Sequence, residues 1–228
     1  RMGHSALSLA VFGQMGLLPS SLTCLVHKSK NQTSLPLVHN LNKLKYLSIP
    51  AISLSAIDLN DIQRENMLKL SCNWFDKPPN FFSNLISLEI NNDFFLSPVF
   101  TSQTNENWSK SFKNLRELKI KCHMFFAFDR STCLEEVHLT MHSATTATTA
   151  TNSGSNTEDV VQAILMLTNL RTLCIDFQSQ YQGSCIWMPN FEKLLELKSL
   201  EKIYFCCPTN DFIIPKDFEK MRKIMSLH

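Results

Sequence analysis

One spacing recurs along this chain: an apolar residue, two variable residues, an apolar residue, one variable residue, and a third apolar residue. Clear copies begin at Leu44 (with Leu47 and Ile49), Leu85 (Leu88, Ile90), Leu115 (Leu118, Ile120), Leu134 (Val137, Leu139), Leu170 (Leu173, Ile175) and Leu200 (Ile203, Phe205). Two weaker copies begin at Leu22 (Leu25, ending on polar His27) and Met67 (Leu70, Cys72). Asparagine often stands just before the first apolar residue, as at Asn84, Asn114 and Asn169. The last two apolar positions are two apart, so on a strand they share one face, and the first enters the core just ahead of the strand. One copy alone cannot bury three such side chains. Stacked copies can, as a parallel sheet whose inner rows form a continuous apolar column.

Successive copies start 18 to 36 residues apart. The shorter steps fall in or near the range of about 20 to 29 residues typical of leucine-rich repeats. The longer ones read as repeats carrying insertions: a polar, low-complexity stretch from Ala144 to Asn156 expected to form a mobile loop, a second from Ser97 to Asn107, and a third from Gln178 to Pro189. Return segments must cover the core from behind. Glu158 to Thr168 is the best helix candidate for that task, followed by Phe191 to Leu197, whose apolar residues have amphipathic-helix spacing. The tail from Asp211 to His228 carries Ile213, Ile214, Phe218, Met221, Ile224 and Met225 and is expected to cap the end of the stack.

On these motifs the chain resembles an irregular, intracellular leucine-rich-repeat protein, close in style to the repeat domains that follow an F-box. The resemblance covers roughly Leu18 to Phe205. It implies an α/β solenoid of seven to eight irregular repeats, with a curved parallel sheet on the concave side and helices and loops on the convex side. It also implies one leucine-rich-repeat domain over residues 1–228. The asparagine that commonly closes the family motif three residues after its last leucine is missing from most copies. The regular plant-receptor and ribonuclease-inhibitor patterns are therefore poor matches.

Composition bounds the rest. The chain has 228 residues, 44% apolar and 18% charged, enough for one domain with a sizeable core and far from disordered compositions. A net charge of +2 without a Lys/Arg run points to neither nucleic acid nor an anionic membrane as partner. The most apolar stretch, Ser5 to Leu18, is shorter than the roughly 20 residues that span a bilayer. It also lacks the basic start and cleavage site of a signal peptide. Arg1 ahead of Met2 reads as an internal fragment or a junction. Eight cysteines at irregular spacing, with no C-x-x-C pair, read as small buried thiols and favour a reducing compartment, cytoplasmic or nuclear. Two glycosylation sequons, at Asn31 and Asn107, and the apolar opening support a different reading, an extracellular or cell-surface recognition domain.

No catalytic constellation emerges. G-x-S-x-G, H-E-x-x-H and P-loop patterns are absent, and five glycines are few for phosphate-cradling loops. The histidines His39, His123, His138 and His142 carry no motif around them. Glu136 and His138 share a strand face, but those two alone do not make a metal site. In Cys206-Cys207-Pro208 one thiol is expected in the core and the other exposed. The aromatic pairs Trp74-Phe75, Phe81-Phe82, Phe94-Phe95 and Phe125-Phe126 are not interleaved with basic residues, which favours core packing over base stacking. The chain is thus expected to be a non-enzyme with no cofactor and no metal.

In the family the resemblance names, the variable residues between core leucines face the concave side, where partners commonly bind. Carried over copy by copy, these are Tyr46 and Ser48, Lys69 and Ser71, Ser87 and Glu89, Glu117 and Lys119, Glu136 and His138, Thr172 and Cys174, and Lys202 and Tyr204. The binding set drawn from them is Tyr46, Ser48, Lys69, Glu89, Glu117, Lys119, Glu136, His138, Thr172, Lys202 and Tyr204. The tyrosines fit contact hot spots because they bury much area with few torsions. The implied function is a protein–protein interaction module, as in the substrate-recognition repeats of an F-box-type ubiquitin-ligase adaptor. Skp1 and a cullin would then be reached through a region outside this sequence, and the identity of the bound protein stays open.

Overall fold

The copies of the spacing other than the one at Met67, which follows a helix, begin with a shared backbone event, a tight turn closed on the first apolar residue. The Leu44 N–H donates to the Leu41 carbonyl at 3.0 Å, Leu85 to Phe82 at 3.2 Å, Leu115 to Phe112 at 3.2 Å, Leu134 to Ser131 at 3.2 Å and Leu170 to Leu167 at 3.0 Å. Leu22 and Leu200 close on Pro19 and Leu197 in the same way. These turns belong to a computed structural model that describes residues 18–27, 38, 40–53, 59–74, 82–91, 112–121, 128, 131–141, 157–177 and 191–206. The three insertions, the tail from Asp211 and the apolar opening before Leu18 lie outside the described residues. So do Phe75, Phe81, Phe94, Phe95, Phe125, Phe126, His39, His123, His142 and Cys207.

Among the described residues this is an α/β fold of eight parallel strands and few helices. The chain divides into two compact units, Arg1–Leu115 and Arg116–His228. In the first, β1 (Cys24–Val26), β2 (Tyr46–Ser53), β3 (Lys69–Trp74) and β4 (Ser87–Ile90) pair in chain order, each parallel to the next. In the second, β5 (Glu117–Lys121), β6 (Glu136–Met141), β7 (Thr172–Phe177) and β8 (Lys202–Cys206) do the same.

A shared device sets the register. The carbonyl just after the first apolar residue of one copy accepts two consecutive N–H groups of the next. Arg116 accepts from Glu135 and Glu136, both at 2.9 Å; Glu135 accepts from Arg171 and Thr172 at 2.8 and 3.0 Å; Arg171 accepts from Glu201 and Lys202 at 2.8 and 3.0 Å. In the first unit Thr23, Lys45 and Leu68 accept in the same way. Copies separated by quite different lengths of chain therefore enter the sheet in step. One irregularity falls between Ile49 and Ser53 of β2. That span contains Pro50, which has no N–H to give a ladder.

The three spaced positions form the core. Leu44, Leu85, Leu115, Leu134 and Leu170 are fully buried, as are their strand partners Leu47, Leu88, Leu118, Val137 and Leu173 and the third positions Ile49, Ile90, Ile120, Leu139 and Ile175. Met67, Leu70 and Cys72 fill the corresponding places in the weaker copy, and buried His27 occupies the third place in the copy that holds β1. Burial of each such aliphatic side chain is worth about 1.5–3 kcal/mol. A fourth core position, three residues ahead of the first, is held by Leu41, Phe82, Phe112 and Leu167. The rings of Phe82 and Phe112 stack with centroids 6.5 Å apart. Core packing is thus the role of Phe82, as its sequence surroundings predict.

Helix α1 (Asp61–Asn66) starts at Asn60, whose side chain accepts from the Gln63 N–H while the Gln63 side chain accepts from the Asn60 N–H. The buried Gln63 amide also donates to the Val38 carbonyl, so its polar atoms are provided for. Helix α2 (Thr157–Leu165) buries Val160, Val161, Ala163 and Ile164, as the sequence predicts for this stretch. Phe191–Glu196 differs from the expected α-helix: it is a 3₁₀ helix, and it packs against α2. Six residues is longer than the usual run of that tighter form, in which side chains three apart eclipse one another.

Candidate functional site

Strand alternation that buries one set of side chains leaves the other set on the opposite face, and register lines that set up in rows across each unit. In the first unit Cys24, Tyr46, Lys69 and Ser87 are in register, as are Val26, Ser48, Ser71 and Glu89. None of these is buried. Val26 and Tyr46, 46% and 39% exposed, are the large apolar members. Asn91 donates through its side-chain amide to the Ser71 hydroxyl at 3.2 Å, tying the end of β4 to β3 on this face.

In the second unit the first row is Glu117, Glu136, Thr172 and Lys202, and the next is Lys119, His138, Cys174 and Tyr204. Glu136, Lys119, Lys202 and Tyr204 are exposed; Glu117, His138, Thr172 and Cys174 are half-buried. All eleven residues of the expected binding set therefore stand on the unburied side of their strands, four in the first unit and seven in the second. A third row, which the spacing does not mark, continues with buried Thr140, half-buried Asp176 and exposed Cys206.

Two features of the second unit escape sequence reasoning. One is a row of alternating charge at the strand entrances: Arg116, Glu135, Arg171, Glu201. Arg116 lies 3.5 Å from Glu135, and the Arg171 guanidinium meets one Glu201 carboxylate oxygen through both Nε (2.8 Å) and a terminal nitrogen (2.5 Å). Hydrogen bonding to Glu201, then its charge, raises the Arg171 guanidinium above its ordinary value, so it stays cationic. The signal was legible as oppositely charged residues at the second position of successive copies, but only known register makes them neighbours.

The other is a pair of thiols. Cys174 of β7 and Cys206 of β8 lie with their Sγ atoms 3.8 Å apart. Desolvation, then the hydrogen bond with Cys206, pushes the Cys174 thiol up to about 12; the charges of Cys206, Asp176 and Glu136 add to the shift. Cys206 is exposed, as expected of one thiol in the Cys206-Cys207 pair, while Cys207 lies outside the described residues; the expectation of buried thiols holds at Cys72 and fails at Cys24, Cys133 and Cys206, which are exposed. Among the described residues no group of three or more His, Cys, Asp and Glu side chains is placed to hold a metal ion. No helix among them is long and apolar enough to cross a membrane.

The chain matches no protein-family model, no curated protein and no solved structure. What the site can do thus rests on its own chemistry. Each unit presents a mixed-charge sheet face with a tyrosine. Such faces suit extended contact with another macromolecule better than the enclosure of a small substrate.

Proposed function

We propose that residues 1–228 form a single leucine-rich-repeat solenoid of seven to eight irregular repeats, with a curved sheet whose concave face binds a protein partner. Within that reading the chain is the substrate-recognition part of an F-box-type ubiquitin-ligase adaptor, working in the cytoplasm or nucleus. Skp1 and a cullin would bind through a region other than residues 1–228. The observation that carries the reading is the division of the strand residues. The spaced apolar positions from Leu44 to Ile175 are buried, while Tyr46 and Lys69 in the first unit, and Lys119, Glu136, Lys202 and Tyr204 in the second, stand exposed on the other face of their strands. Aromatic residues among paired charges supply both anchoring area and electrostatic selection of a partner. No reaction is assigned to the chain.

Affinity purification of the tagged full-length protein from its native cells, followed by mass spectrometry, tests both parts. Recovery of Skp1 and a cullin supports the adaptor role. Their absence, under conditions where a known F-box protein retrieves both, overturns it. A Lys202→Glu/Tyr204→Ala variant is expected to retain Skp1 and the cullin and to lose the other bound proteins. Retention of every one of them would take the binding site off this face.

A further inference from the structure

The structure assigns a thiophilic-ion site to the pair Cys174 and Cys206 on the exposed face of β7 and β8. The two residues are diagonal neighbours: Cys174 is in register with Tyr204, and Cys206 with Asp176 two residues further along. Parallel strands about 4.8 Å apart, rising about 3.3 Å per residue, put the Cα atoms of such partners roughly 8 Å apart, beyond the limit of about 7 Å for an unstrained disulfide. Yet their Sγ atoms are 3.8 Å apart. That separation suits one bridging atom better than a direct sulfur–sulfur bond. Two metal–thiolate bonds of about 2.3 Å meeting at the tetrahedral angle span about 3.8 Å. The backbone need not move for an ion to sit between them.

The surroundings favour a cation. Asp176 stands two residues from Cys174 on the same face of β7 and in register with Cys206, and Glu136 lies on the same face of the neighbouring β6. A bound cation is attracted by both carboxylates and offsets the charge of two thiolates. His138 stands in register with Cys174 on the other neighbouring strand. Since no three such side chains are positioned together among the described residues, the protein supplies two thiolates and water fills the remaining positions. Thiolate ligation selects soft ions over Mg²⁺ and Ca²⁺, which take oxygen ligands. Binding converts M²⁺ and two S–H groups into a bis-thiolate complex and releases two protons to solvent. No oxidant or reductant takes part.

The test is titration of the full chain with Cd²⁺ in the presence of a phosphine reductant, reading the thiolate-to-cadmium charge-transfer absorbance in the ultraviolet. The other six cysteines supply a background, measured with a Cys174→Ser/Cys206→Ser chain. Wild type is expected to exceed that background by one equivalent of Cd²⁺ carrying two thiolates. Either single serine variant should fall all the way to the background, because a chelate is lost when one arm is removed. A Cys206→Ala chain, altered at an exposed position, repeats the test without disturbing packing, and far-ultraviolet circular dichroism checks its fold. Excess Mg²⁺ should leave the wild-type signal unchanged. Half-loss in each single variant would mean two independent thiols and overturn the proposal, as would a wild-type signal equal to the background.

Discussion

Leu173 shows what a single core position contributes. It is fully buried in β7, in register between Val137 of β6 and Ile203 of β8. Leu173→Ala is expected to lower stability by about 2–5 kcal/mol, the lost transfer term plus the cavity left behind. Urea denaturation, read as a shift in midpoint at constant slope, checks it. Cys174, the next residue along the strand, faces the other way and behaves differently. Its thiol is pushed up to about 12, so in the metal-free chain it is almost wholly protonated at pH 8. Alkylation of Cys174 by iodoacetamide at pH 8, followed by peptide mass spectrometry, should be far slower than that of a cysteine in an unstructured peptide. The raised value also has a stability sign. The native state holds this proton more tightly than the unfolded chain, so the contribution is complete below the unfolded value of 9.0. It is lost progressively as pH rises towards 12.

At the scale of the element, the asparagine ahead of the first apolar residue explains how turns stack. The Asn66 side-chain amide donates to the Asn42 carbonyl at 2.9 Å, Asn84 to Glu65 at 2.8 Å, Asn114 to Ser83 at 2.6 Å and Asn169 to Thr132 at 2.6 Å. In each case the acceptor occupies the second place of the turn, or its equivalent, in the preceding copy. These carbonyls would otherwise face water, so each bond contributes modestly. Asn169→Ala is expected to cost about 0.5–1.5 kcal/mol. Asn169→Asp, which keeps the shape but presents oxygen to a carbonyl, should cost at least as much; thermal unfolding of the two variants side by side decides this. The sequence displays the Asn-Leu pairs, but periodicity alone does not say what the amide reaches. Helix α1 was likewise hidden: its capping box, Asn60 with Gln63, was legible, but the stretch between two closely spaced copies offered too few apolar positions to read as a helix.

For the whole molecule, the separation of core from surface predicts that face and fold can be altered independently. Lys69→Glu and Lys202→Glu, at exposed strand positions, should each change unfolding stability by no more than about 0.5 kcal/mol. If the face binds a charged partner, the same changes alter its affinity and salt dependence in a direction set by the partner's sign. Calorimetric unfolding and binding measured on the same preparations separate the two effects. The exposed Arg171–Glu201 pair adds little to stability because solvent screens it, so an Arg171→Ala chain should unfold within error of wild type.

Which residues are buried, and which strand faces stay exposed, can be read from the chain without any coordinates. Apolar spacing of three and two is a local property that any strand must respect, and it marks the core from Leu44 to Ile175 and the unburied strand residues from Tyr46 to Tyr204. Which exposed residues become neighbours is settled only when the strands are laid side by side. Arg171 with Glu201, and Cys174 with Cys206, are separated by 30 and 32 residues, a span that includes the insertion from Gln178 to Pro189. Their meeting depends on the paired backbone hydrogen bonds that set β8 against β7. Those bonds join groups that nearly every residue possesses, so composition and periodicity carry no trace of them.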